Sequence, residues 1–267
     1  MLRSVNRLVA MRISRFNWPG LLTVLLLLAG WEALVRTGTI RFEYLPAPSA
    51  IFLAWGSLIA SGEMFAHTLH TVESILIGWT AAAAIGIGLG LLLGLSPPVR
   101  HWSLASFEVL RPLPAIAFLP LALLLFNFSL TTELVLMIYA SVWPVLINTM
   151  GGVMSVTSRL YDVSRTLRLS RKQTLIKVII PAAAPAIVIG CRLSMGLTLV
   201  MAIIAEMIAN PHGLGYAVIS ELQAMQPQRM FAYVLYIGLL SIALNAGLLW
   251  VSARILRGHR WMNENNA

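Results

Sequence analysis

Residues Ser74–Leu95 read SILIGWTAAAAIGIGLGLLLGL, an unbroken run with no charged side chain. A helix needs about 20 such residues to cross the hydrocarbon of a bilayer, so this stretch is long enough to span. It carries a second pattern as well: Gly78, Ala82, Gly86, Gly90 and Gly94 recur at every fourth position. Small residues at that interval let helix backbones approach closely in lipid. Because a helix turns in 3.6 residues, the stripe winds slowly around whatever it packs against. The stretch therefore predicts a membrane helix and a close neighbour for it.

Working outward, further runs of spanning length lie at 19–35, 132–154, 185–209 and 231–256. A shorter apolar segment, 112–126, contains Pro112, Pro114 and Pro120. Proline is tolerated in a spanning helix where neighbours satisfy the freed carbonyls, and the charges require this segment to cross. With six spans and a cytoplasmic N-terminus, fifteen of the 19 basic residues face one side. They are Arg3, Arg7, Arg12 and Arg15; Arg100 and Arg111; Arg159, Arg165, Arg168, Arg171, Lys172 and Lys177; and Arg254, Arg257 and Arg260. Only Arg36, Arg41 and Arg229 face the other side, and Arg192 lies within a span. Omitting the proline-rich span would put the most basic loop outside, against the positive-inside rule. A cleaved signal peptide is the alternative for the first span, but no small-x-small site follows Leu25–Leu28.

Composition agrees. Hydrophobic residues make up 58% of the chain and charged residues 11%, against about 25% charged in a soluble domain. A water-soluble enzyme and a disordered chain are both excluded. The net charge of +9 then reads as an orientation signal, with no need of nucleic acid. A single cysteine, Cys191, excludes a disulfide framework and a cysteine-rich metal site. The expectation is an all-α, polytopic integral membrane protein of six transmembrane helices, one domain over residues 1–267, with both termini cytoplasmic.

The chemistry of nucleotide hydrolysis is missing. A P-loop needs a lysine beside its glycines, and the only lysines are Lys172 and Lys177 in the loop 155–184. No G-x-S-x-G or H-E-x-x-H motif occurs. Glu32, Glu133 and Glu206 fall near span ends, where an ion pump would bury carboxylates mid-span. His67 and His70 share a helix face without cysteine or carboxylate support nearby, which favours an interfacial role over a metal. Between the first two spans, Ile51, Phe52, Trp55, Leu58 and Ile59 mark an interfacial helix starting near Ala50, with Ser49 placed to cap it.

The fifth span has its own stripe: Ala186, Gly190, Ser194, Thr198 and Ala202, leading to Glu206 and Asn210. Helix packing is one reading. The other is a translocation path lined by Ser194, Thr198, Ala202 and Glu206. Glu206 is open between a gate and a water-exposed rim, while Arg192, two turns into the span, can snorkel to the cytoplasmic face.

The loop 155–184 is the most informative segment. Leu160, Val163 and Leu167 form the apolar edge of a short helix. Ser170 and Gln173 have capping-box spacing, which predicts a second helix from Arg171. Two short amphipathic helices with a basic outer side make either a docking surface or a pair resting on anionic headgroups.

Here the chain resembles a known family. Asp162-Val163-Ser164, Arg168 and Val178-Ile179-Ile180-Pro181 follow the spacing E-A-A-x3-G-x9-I-x-L-P. That is the cytoplasmic-loop motif of permease subunits of binding-protein-dependent ABC importers. Leu45-Pro46-Ala47-Pro48-Ser49, Arg111-Pro112-Leu113-Pro114, Phe118-Leu119-Pro120-Leu121, Gly190-Cys191-Arg192-Leu193, Ala205-Glu206 and Gly213-Leu214-Gly215-Tyr216 look like its nitrate/sulfonate/taurine branch, in order. The resemblance implies a type I importer fold and transport of a small organic anion. It implies that the loop residues Asp162, Val163, Ser164, Arg165, Leu167, Arg168, Leu169, Ser170 and Pro181 seat on a separate ATP-binding subunit, which holds the ATP and magnesium. No cofactor or metal is expected on this chain. The further partners implied are an external solute-binding protein, touched by Gly213, Leu214, Gly215 and Tyr216, and a second permease copy in a homodimer. A bacterial inner membrane follows as the location.

Three departures stand out. Arg168 replaces the motif's glycine, at a cost of about 1 kcal/mol if the turn needs positive φ. Val163-Ser164 replaces two alanines. Asn127 and Ser129 stand where Phe-Gly-x-Gly is usual, and asparagine is the best non-glycine residue for a left-handed turn. The rivals are an ion-coupled secondary transporter, which should show inverted repeats, and a membrane scaffold whose basic loop only binds lipid.

Overall fold

An apolar run in lipid has to satisfy its own backbone, and a helix does so within one segment. The computed structural model, which describes residues 18–38 and 44–257, is accordingly built of helices, with no strand among those residues. The basic positions Arg3, Arg7, Arg12, Arg15, Arg41 and Arg260 of the orientation argument lie outside the described residues. The long elements are α1 (Trp18–Arg36), α3 (Glu63–Leu95), α6 (Leu130–Met154), α9 (Ile180–Ala209) and α11 (Pro227–Arg257). Between them lie α2 (Pro48–Ser61), α4 (Pro97–Leu110), α5 (Leu119–Phe126), α7 (Ser158–Thr166), α8 (Arg171–Thr174) and α10 (Gly213–Gln223).

α3, α6 and α9 form the centre, with α6 in the middle. The glycine stripe predicted from Ser74–Leu95 is the seam. A Cβ on Gly86 would stand 2.6 Å from Val145 Cβ, and one on Gly90 would stand 2.5 Å from Thr149 Cβ. Gly78 meets Met137 and Gly94 meets Val153, so every pair is 59 positions apart and the two helices run parallel in fixed register. On the other side of α6, Gly152 faces Ala183 and Ala186, and Gly190 faces Pro144 and Asn148. α10 and α11 close against α2 around Leu58, Leu214 and Tyr233. α1 buries none of its residues; it is tied to α2 by Glu32, which accepts from the Ser49 amide at 3.0 Å and hydroxyl at 2.7 Å.

Three boundaries differ from expectation. α3 begins at Glu63, well before Ser74. Gly62 at φ +77° ends α2 and starts α3 at once, and the polar first turns hold because their side chains find partners in other helices. α2 begins at Pro48, whose fixed φ suits a first turn; Ser49 does not cap it but anchors Glu32. The expected inner loop 96–111 is helix α4, and it joins the segment Ala115–Phe126 at a bend of 82°. The Tyr139 hydroxyl donates to Leu110 O at 2.6 Å and Phe107 packs edge-on to Trp143, so the C-terminal end of α4 touches α6. Among the described residues, five helices are long and apolar enough to span, and six if the bent pair is one span.

Candidate functional site

The basic loop leaves α6 and returns to α9 as two helical pieces joined by a tight turn. Leu167 follows α7, Arg168 takes φ +51°, and Leu169 leads away. The Arg168 amide donates to Arg165 O at 2.9 Å and the Leu169 amide to Ser164 O at 3.0 Å. That pair of bonds is a Schellman ending, whose left-handed position glycine usually fills. Arg168 thus adopts the conformation of the glycine it replaces. Ser170 then caps α8: its Oγ accepts from the Gln173 amide at 3.3 Å, and Gln173 Oε1 accepts from the Ser170 amide at 2.9 Å. A single π-helical turn, Leu175–Ile179, carries α8 into α9, with Pro181 in the first turn of α9.

The two sides of α7 differ. Tyr161 packs on the small cluster of Val153, Ile179 and Ala183, and Ser164 is buried. Leu160, Val163 and Leu167 point away, with Leu167 65% exposed. Asp162 is exposed too, its carboxylate 4.0 Å from the Arg165 guanidinium, and Arg168 and Leu169 cross the tip between the helices. Of the loop residues named from the motif, Asp162 to Ser170 form one continuous stretch with Ser164 buried, and Pro181 follows in the first turn of α9.

Ser194, Thr198, Ala202 and Glu206 all have zero exposure. The Thr198 hydroxyl lies 2.8 Å from Ser141 Oγ, and the stripe fills the seam between α9 and α6. Within this chain these small side chains are buried where the two helices approach, as the packing alternative has it. Arg192 is exposed on another face of α9, where with Ser241 and Asn245 it lines a cavity of about 210 Å³ between α9 and α11.

At the end of the helices opposite the basic loop, Glu206 is neither rim nor solvated. Its Oε1 accepts from the Thr71 hydroxyl at 2.7 Å and its Oε2 from the Gly215 amide at 2.8 Å. The Leu214 amide donates to Thr71 Oγ1 at 2.8 Å. Glu206 thus satisfies the N-terminus of α10, where a negative charge is favoured. The turn wraps so closely that a Cβ on Gly213 would stand 2.3 Å from Glu206 Cδ, and one on Gly215 would stand 2.3 Å from Ile203 O. Gly213, Leu214 and Gly215 are buried, leaving Tyr216 as the member of that motif open to an outside partner. Beside Glu206 is Glu133, also fully buried, which accepts from Asn210 and lies 3.6 Å from His70 Nε2. The carboxylate support missing around His70 in the sequence comes from α6. Sequence reading missed this cluster because its members lie on three helices; the signal available was the glycine stripe, whose register brings the start of α6 beside the early turns of α3.

Comparisons with known proteins agree with this architecture. The family model described as binding-protein-dependent transport system inner membrane component matches residues 86–257. The chain is 32% identical over 222 residues to a putative aliphatic sulfonates transport permease of Bacillus subtilis (strain 168), covering 83% of this chain and 80% of that one. It is 28% identical over 267 residues to the taurine transport system permease of Escherichia coli (strain K12), covering 96% and 97%. A nitrate import permease of Leptolyngbya laminosa is 29% identical over 72% of this chain and 69% of its own. Among solved structures, the MetNI methionine ABC transporter in inward facing conformations aligns with a TM-score of 0.59 at 16% identity, over 70% of this chain and 92% of that one.

Proposed function

Because the chain belongs to the family of binding-protein-dependent transport system inner membrane components, we propose that it is the membrane-spanning permease of an ATP-driven importer for a small organic anion. It works as a homodimer in a bacterial inner membrane with both termini cytoplasmic. A separate ATP-binding subunit supplies the energy, and a solute-binding protein delivers substrate to the face where Tyr216 is exposed. Sulfonates are the favoured substrate class, after the names of the relatives at 32% and 28% identity. Arg192, exposed on α9, and His212, exposed just beyond it, are the cationic candidates near the fifth span.

One observation carries this reading: α7 rests on the chain by Tyr161 and Ser164 while Leu160, Val163 and Leu167 stand open beside Asp162. Burying an apolar side chain of this size gains about 1.5–3 kcal/mol, which suits a protein groove better than headgroups. The rigid Schellman turn and capping box hold the loop as one body, so a push on α7 moves α9. The test is co-purification with the ATP-binding subunit. Replacing Leu160, Val163 and Leu167 together by Asp abolishes it while the permease still inserts in the membrane, and Asp162→Lys weakens it. Undiminished recovery of the ATPase with the triple variant contradicts the docking role.

A further inference from the structure

The acidic cluster at the end opposite the docking loop brings two buried carboxyl groups together. Glu133 and Glu206 each have zero exposure. Among the described residues no arginine or lysine pairs with either of them; the only ion-pair partner of Glu133 is His70. Glu206 is held by hydrogen bonds from Thr71 and Gly215. Glu133 is served less well. One oxygen accepts from Asn210, and the other, Oε2, is buried with no hydrogen-bond partner. Buried polar atoms are nearly always satisfied by protein, water or an ion, and a carboxylate oxygen least tolerates being left alone.

The surrounding donors are those of a metal site. One ligand atom each from His70, Glu133 and Glu206 lies within 4.8 Å of the other two. His70 Nε2 and Glu133 Oε1 are 3.6 Å apart, close to the roughly 3.4 Å between two ligands of one tetrahedral zinc ion at about 2.1 Å. His212 stands next to them, its ring centroid 5.7 Å from that of His70. Asn210 lies between, its amide nitrogen 3.0 Å from His70 Nε2 and its Oδ1 3.2 Å from His212 Nδ1. A half-turn of that amide presents an oxygen where the nitrogen now sits. His70 is 27% exposed at its side chain, which gives an ion a way in.

We propose that His70, Glu133 and Glu206 bind a divalent transition-metal ion of the zinc class, with His212 or Asn210 completing the shell. Imidazole together with carboxylate oxygen favours such an ion over magnesium or calcium, which take all-oxygen shells. The bound ion neutralises the two carboxylates and ties the early turns of α3 and the first turn of α6 to the end of α9 and the glycine turn that starts α10. The ion is a clamp on the face opposite the docking loop. Neither the transport role nor the identity of the transported anion is needed for this site to exist.

The experiment uses the full chain in detergent without a polyhistidine tag, stripped with a chelator and dialysed. Zinc ion alone is then added, with magnesium ion in a parallel sample. Elemental analysis is expected to find one zinc per chain, and the thermal midpoint is expected to rise with zinc and not with magnesium. Glu133→Gln, which removes a buried charge while keeping its shape, folds but loses both zinc and the shift. His70→Gln does the same, while His101→Gln on α4 retains both. Absence of zinc from the wild-type chain, or zinc uptake in Glu133→Gln and His70→Gln equal to wild type, overturns the proposal. A midpoint that moves with pH but not with zinc overturns it as well, and assigns the missing positive charge to a proton.

Discussion

Arg168 shows how far one residue can be read before the structure is known. Its place in the loop motif is that of a glycine, and the sequence alone raised the question whether the turn survives. The backbone answers at φ +51°, with both Schellman hydrogen bonds formed. Those two bonds go with a left-handed conformation that a residue other than glycine disfavours. Arg168→Gly is therefore expected to raise stability by about 0.5–1 kcal/mol, seen as a higher denaturation midpoint with ATPase docking intact; a lower midpoint would mean the arginine side chain contributes a contact that outweighs the strain. Asn127 is a harder case. Its φ of +59° was foreseen, but ψ is −164°, outside the left-handed helical basin and in a region otherwise left to glycine. The sign of φ is what the resemblance implies, since a glycine usually stands there; the unusual ψ goes with a tertiary contact, the Thr132 hydroxyl donating to Asn127 O at 2.7 Å. Glu206 and Glu133 were least legible. Position along a span says how near a residue is to the helix end, but burial depends on which other helices arrive there, and α10 covers that end.

At the scale of elements, apolar length and small-residue spacing were enough to locate the central helices. The glycine stripe in Ser74–Leu95 predicted a close partner, and its seam with α6 is the closest packing in the chain's centre. Gly90→Ala sets a Cβ 2.5 Å from Thr149 Cβ and 2.8 Å from Leu146 O, whereas Gly88→Ala meets nothing within 4 Å. The first is expected to cost about 1–3 kcal/mol through overpacking; the second is expected to be neutral or to stabilise slightly through helix propensity. Thermal unfolding of the two variants side by side checks the register, and equal effects would refute it. The proline-rich segment was less legible. Hydropathy located an apolar run at 112–126 but gave no sign that Pro97–Leu110 is helical and lies against α6. That arrangement rests on the Tyr139 hydroxyl and the Phe107–Trp143 contact, which are tertiary. The fifth-span stripe illustrates the same limit, since close packing and pore lining place the same small residues at the same interval. The approach of α6 at Gly190 and Thr198 shows these residues packed within the chain, which their spacing alone does not.

At the scale of the whole molecule, the arrangement is a stack of tightly seamed helices with a rigid, amphipathic loop at one end and a buried polar knot at the other. The sequence carries no nucleotide motif, and the proposed function has the energy for transport enter through a surface. The loop offers one: α7 and α8 are locked to each other by a turn and a cap, and α8 continues through one π-helical turn into α9, the helix seamed against α6. In the proposed function, motion imposed on α7 by a closing ATPase would pass by this route to the centre of the permease. The most direct measurement of that claim is ATP hydrolysis by the complex in proteoliposomes, with and without the substrate-loaded binding protein. The account predicts hydrolysis stimulated by the loaded binding protein in the wild-type complex, and stimulation lost when Leu160–Thr174 is deleted. Stimulation that persists unchanged after that deletion would contradict it.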